Sequence, residues 1–304
     1  MSDEKPARNT TNVNAYRRVS GDRMKRVQAM NSPATDFAVD ELISVCIARQ
    51  VVDGDVLAQG IATPLVVAGY FLAKLTHAPN VIFASAISQG LVGDWAPLAL
   101  ARVEDHWIGR ALIQLSFPQI ACDLLPRFHF KEFLRPAQVD AFGNLNNVVI
   151  GASYEHPQMR LPGAGGIPDV TTYNERLSLY VPRHSRAVFV EKLDFVSGLG
   201  HSPLRRAGAG PVYCVTNLGE FDYASGRMRL LRCFPGSSPD KIQAKTGFLL
   251  EIAPDVGETE PPTVEQARLL REVIDPLGVR RLETLGGGAR KDLLREILAR
   301  EGAL

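Results

Sequence analysis

Residues 138–166 read QVDAFGNLNNVVIGASYEHPQMRLPGAGG. Gln138, Asp140, Asn144 and Asn146 crowd into one short polar segment, and Gly163, Ala164, Gly165 and Gly166 close the stretch. A core needs neither feature, because buried amides must all find partners and glycine loses the most backbone freedom on folding. The chemistry they suit is at a carbonyl. A loop of glycines and one alanine lets backbone N–H groups come close to a ligand and face the negative charge that develops on an acyl oxygen. A turn built from Asp140, Gly143 and Asn144 also satisfies its own backbone, so the polar set reads either as a brace for the loop or as groups that orient a substrate.

These residues need a frame. Thr35 and Asp36 offer a cap to a helix whose broad apolar face carries Phe37, Val39, Leu42, Ile43, Cys46 and Ile47. Residues 56–60 predict a short strand. Thr63 and Pro64 open a second helix that runs to Thr76, with proline where a first turn tolerates it. Residues 81–85 predict a buried strand. Short alternating helices and strands with Gly/Pro punctuation predict an α/β fold with a largely parallel sheet. Residues 87–93 then follow a strand end, where open α/β sheets bind ligands.

Further along, residues 133–139 and 148–151 are expected as strands into and out of the polar segment, and residues 178–181 and 187–190 as two more. Residues 201–210 form a basic loop. Residues 212–216, 219–222 and 228–233 predict an antiparallel meander, followed by a helix from Ser238, a last strand at 246–252 and an acidic, proline-rich linker at 254–262. A helix over 263–273 follows. Residues 1–34 read as a flexible extension, 35–285 as the α/β domain, and 286–304 as a tail with a charged amphipathic helix.

Composition narrows the class. The 304 residues are 45% hydrophobic and 22% charged, enough for a large core. A net charge of +1 gives no long-range field, so neither nucleic acid nor an anionic membrane is an expected partner. Cys46, Cys122, Cys214 and Cys233 stand far apart, which fits a reducing compartment rather than a disulfide or zinc framework. No signal peptide or long apolar span is visible, so a cytoplasmic location is expected. Glu104, Asp105 and His106 are neighbours in sequence and point apart, so no metal site is expected from them.

QVDAFGNLNNVVIG followed by LPGAGG resembles the B-type subunit of family I CoA-transferases, of the glutaconate CoA-transferase kind. ELISVCIARQVVDGD, LTHAPN, TNLGEFDY, PGSSPD, TGF and IDP extend the likeness over residues 36–285. It implies a CoA-transferase-like α/β domain that pairs with a homologous A-type subunit, with the active site between them. CoA enters as part of the substrate and no cofactor is held permanently. It also implies that Gly163, Ala164, Gly165 and Gly166 line the acyl-CoA site, with Gln138, Asn144 and Asn146 beside them.

One departure decides the chemistry. In the family a strand ends in Glu-Ser-Gly, whose glutamate carries the covalent adducts. Here the text is VIFASAISQGLVG, which places Ala86 or Ser88 at that glutamate. Alanine cannot carry CoA, and serine needs a positioned base. Glu104 and Glu132 are other carboxylates, but nothing in the motif matches them. The resemblance then implies a hydrolase or C–C-cleaving relative, such as the ring-opening subunits of steroid catabolism, with the catalytic carboxylate on the A-type partner. The alternative is CoA transfer between (di)carboxylic acids. An acyl-CoA decarboxylase, in which cysteine replaces the glutamate, is a lesser reading because residues 81–93 contain no cysteine; a noncatalytic scaffold subunit is another.

Overall fold

The computed structural model describes residues 30–60, 63–85 and 89–304. A 10-stranded sheet runs through the molecule. Its middle is parallel: β1 (Val56–Gln59) lies between β2 (Ile82–Ser85) and β5 (Lys131–Leu134), and β10 (Arg176–Val181) lies between β5 and β11 (Tyr213–Thr216). One edge turns antiparallel through β3 (Gly90–Val92) and β4 (Ala111–Gln114). On the other side, β12 (Gly219–Asp222) and β13 (Arg229–Cys233) continue β11 as the expected antiparallel meander. Strand β14 (Glu251–Glu258) returns parallel to β13 after a short helix capped by the Ser238 hydroxyl.

Helices α1 (Val39–Arg49) and α2 (Pro64–Thr76) cover one sheet face. Leu42, Ile43, Ile47, Leu65, Tyr70 and Phe71 pack there with Leu57, Phe83, Phe133 and Tyr180 of the strands. The helices touch at Gly69, where a Cβ would meet both Ile47 Cγ2 and the Ser44 carbonyl oxygen at 2.7 Å. Glycine is there to let the backbones approach. The other face holds a second cluster, including Leu134, Leu177, Leu179, Phe189 and Phe221.

Several expectations shift. Thr35 and Asp36 do not cap α1; Glu41 reaches back to accept the Ala38 N–H at 2.8 Å. Residues 133–139 break at Pro136 into β5 and a separate pairing of β6 (Gln138–Val139) with β7 (Leu145–Asn146). The strand expected at 148–151 is present as β8 (Val149–Ile150), which pairs with β9 (Met159–Arg160) outside the main sheet. Residues 187–190 form a turn with a single bridge between Val139 and Phe189, and their apolar side chains fill the second core without joining the sheet. The last strand starts at Glu251 rather than Thr246 and occupies part of the supposed linker. Thr246 instead donates its hydroxyl to the Ile242 carbonyl and lies 3.0 Å from His184 Nε2.

The ends of the described chain are tied together. Ala34 N–H donates to the Pro262 carbonyl at 2.8 Å. Buried Arg280 meets Asp40 at 2.8 Å, Asp275 at 2.9 Å and Glu41 at 3.2 Å. Burial drives the Asp40 and Asp275 carboxyls above their ordinary values against the pull of Arg280. The last helix (Gly287–Arg300) buries Leu293 and Ile297 in the core beneath α1 and α2.

Candidate functional site

The polar segment is an interlocked brace. Asn146, fully buried, donates through Nδ2 to Gln138 Oε1 at 2.7 Å and to the Val149 carbonyl at 2.6 Å, and its Oδ1 accepts the Val148 N–H at 3.0 Å. Gln138 Nε2 donates to Asp194 Oδ2 at 3.0 Å, an oxygen that also accepts the Gly151 N–H at 2.9 Å. Asn144 donates to Asp140 at 2.8 Å and accepts the Gly200 N–H at 2.8 Å. Asp140 Oδ1 accepts the N–H groups of Phe142 and Asn144, both at 2.9 Å. Gln138, Asn144 and Asn146 therefore lie in one network, each engaged with the protein itself.

The glycine loop is tethered to this brace and otherwise open. Gly163 N–H donates to the Asn147 carbonyl at 3.1 Å, while Asn147 Oδ1 accepts the Ala137 N–H at 2.6 Å. Gly163 has φ +112° and Gly165 φ +53°, so both need glycine for their conformation. A Cβ on Gly163, Gly165 or Gly166 would meet nothing within 4 Å, and all three are exposed. Ala164 is half-buried. The loop leads directly into the helix Ile167–Tyr173, whose Thr171 hydroxyl accepts the Leu199 N–H at 2.9 Å. Arg205, in the basic loop, binds the carbonyls of Thr171, Asn174 and Ala207 and so fastens that loop to the same helix.

Ala86 and Ser88 lie outside the described residues; β2 leads to them and Gln89 follows with φ +50°. Asp194 and Asn147, which nothing in the sequence singles out, complete the brace. Glu132, which matches no motif, is a further carboxylate of interest. Glu132 stands in the middle of β5 and is 8% exposed. It pairs in register with Ala58 on β1 and Leu177 on β10. Burial alone raises its carboxyl to about 7, with no hydrogen bond or ion pair to it among the described residues. In sequence it stands just ahead of the strand expected at 133–139; its isolation depends on neighbours far along the chain. Among the described residues, no group of three or more His, Cys, Asp or Glu is placed to hold a metal ion. No described helix is long and apolar enough to cross a membrane.

Comparison with known proteins gives this arrangement a family. The B-type subunit of glutaconate CoA-transferase from Acidaminococcus fermentans is 30% identical over 262 residues, 80% of this chain and 94% of that protein. The cholesterol ring-cleaving hydrolase IpdB subunit of Rhodococcus jostii is 30% identical over 237 residues, 75% of this chain and 88% of its own. The crystal structure of the decarboxylase AibA/AibB superposes with a TM-score of 0.72 at 27% identity, covering 81% of this chain and 98% of that one. The family model described as Coenzyme A transferase matches residues 41–245. The chain belongs to the coenzyme A transferase family.

Proposed function

We propose that this chain is the B-type subunit of a heteromeric enzyme that acts on an acyl-CoA thioester as a hydrolase, opening a carbon–carbon bond, with a catalytic carboxylate supplied by a homologous A-type subunit. CoA is part of the substrate, and no cofactor is held between turnovers. The observation that carries this reading is a loop kept without its nucleophile. Ala86 or Ser88 stands where the family resemblance puts glutamate, while Gly163, Ala164, Gly165 and Gly166 form an open loop on a rigid brace. Without the carboxylate, a covalent CoA shuttle on this chain has no carrier, and water must be activated by a base from elsewhere. The loop amides support the acyl region, while Gln138, Asn144 and Asn146 hold the loop and its surroundings in place.

The second reading is CoA transfer between dicarboxylic acids. Its support is the glutaconate CoA-transferase relative, matched over 94% of its length against 88% for the ring-cleaving one.

The test is to purify the chain with its A-type partner, incubate the pair with acyl-CoA, treat it with borohydride or hydroxylamine and map both subunits by mass spectrometry. Hydrolysis or ring opening with no adduct on this chain supports the hydrolase. A glutamyl-CoA adduct on this chain overturns it in favour of the transferase.

A further inference from the structure

The other buried carboxylates of the described chain have partners. Asp55 receives Lys131 at 2.8 Å and Arg176 at 2.5 Å. Glu220 accepts the Tyr213 hydroxyl at 2.6 Å and the Thr259 hydroxyl at 2.8 Å. Glu283 takes Arg135 at 2.8 Å, the Tyr180 hydroxyl at 3.0 Å and the Leu65 N–H at 2.9 Å. Asp40, Glu41 and Asp275 share Arg280. Glu132, with as little surface exposed, has none of this, and its oxygens are not among the fully enclosed polar atoms that lack a partner. An unpaired buried carboxyl is costly, and such groups concentrate where a proton must be held or moved.

Its surroundings point the same way. Strand alternation puts Glu132 on the sheet face away from α1 and α2, with Ala58 on one side and Leu177 on the other. Ala84 follows beyond Ala58 in the same register. The neighbours in register are small and apolar, and none offers the carboxyl a hydrogen bond. Val170, on the helix that continues from the glycine loop, packs against both the Ala58–Ala84–Phe130 cluster and the cluster of Leu134 and Leu177, which flank Glu132. The loop and the carboxyl thus share one side of the sheet. Nearby charges lie elsewhere: Lys131 and Arg176 face the opposite side and engage Asp55, and Asp169 on the loop's helix is exposed. The Tyr70 hydroxyl lies across the sheet on the Ala58 carbonyl.

We propose that Glu132 is a catalytic acid of the acyl-CoA site, giving its proton to the atom that leaves the acyl carbon. This rests on the acyl-CoA reading above. Water adds through oxygen to the acyl carbon and yields a proton to the partner's carboxylate. The carbon–carbon bond at that carbonyl carbon breaks with its electron pair on the departing carbon, and Glu132 protonates that carbon. The partner's acid returns a proton to Glu132 through solvent, so only water is consumed. Burial suits the task, since it keeps the carboxyl protonated to about pH 7.

The test uses the complex of this chain with its A-type partner and S-ethyl-CoA, a thioether that cannot be hydrolysed. Titration calorimetry in buffers of different ionisation heat counts the protons exchanged on binding. The expected result is proton uptake centred near pH 7 that vanishes in Glu132→Gln, with affinity changed by less than about threefold. Glu132→Asp restores it with a shifted midpoint. In turnover, Glu132→Gln is expected to lower kcat by about 100-fold or more with KM little changed, and to remove one limb of the pH profile. Thioether binding with no proton uptake, or the same uptake in Glu132→Gln, overturns the assignment while leaving the acyl-CoA reading intact. An acyl or CoA ester found on Glu132 overturns it in favour of a nucleophile. Failure of the native complex to bind the thioether overturns both readings.

Discussion

Asn146 and Gln138 meet amide to amide at 2.7 Å in the interior of the brace, and the Gln138 oxygen also accepts the Asp194 N–H at 3.2 Å. This contact joins β6 to β7 and fixes the base from which the glycine loop is hung. Replacing Asn146 by alanine takes one of two donors from the Gln138 oxygen and strands the Val149 carbonyl and the Val148 N–H. The expected loss is about 2–4 kcal/mol, by the cost of unsatisfied buried groups. Calorimetric melting should show Asn146→Ala well below native and Asn144→Ala, at a half-buried position, less affected.

Gly165→Val separates conformation from contact. No atom lies within 4 Å of the added Cβ, so the cost to folding is only that of a left-handed residue, about 1–2 kcal/mol. The variant should still fold and pair with its partner, while acyl-CoA turnover falls at least about 100-fold, the scale of a lost oxyanion donor. Native turnover in a folded Gly165→Val complex would remove the loop from the site.

Glu132 makes the fold sensitive to pH in an unusual direction. Its folded value of about 7 lies above the ordinary 4.5, so the native state holds a proton that the unfolded chain has released. Its contribution is intact below about pH 4.5 and is lost as pH rises through 7, by about 3 kcal/mol. Glu132→Gln should therefore match native stability near pH 4.5 and exceed it near pH 8. Urea midpoints at the two pH values measure this without any substrate.

His184 works the opposite way. It lies flat against Phe189 with centroids 3.7 Å apart, and burial, helped by Lys245, lowers its value to about 3 from 6.5. The unfolded chain takes up a proton the native state refuses, so this contribution is present above about pH 6.5 and declines towards pH 3. The two groups oppose each other between about pH 4.5 and 6.5. Denaturation series should show His184→Gln losing much of the acid-side slope, which Glu132→Gln makes steeper.

Local chemistry made much of this legible. Pro64 in a first turn and an unbroken apolar run mark α2 from Pro64 to Thr76, and Gly219–Asp222 stands where its alternation puts it. The glycine loop declares itself because positive φ favours one residue type. Residues 187–190 misled because Phe189 is apolar for the sake of stacking on His184, not for sheet pairing. Thr246 misled similarly, being a partner of His184 rather than the start of a strand. Glu132 was illegible because its meaning lies in Ala58 and Leu177, brought alongside by strand order rather than by sequence.

The clasp of Arg280 on Asp40, Glu41 and Asp275 sets an order of events in the cell. The carboxylates at the head of α1 emerge from the ribosome long before the arginine that neutralises them, so the first helix waits, half-finished, for nearly the whole chain. A product cut short before Arg271 and Arg280 would leave two acids facing the core with no cation.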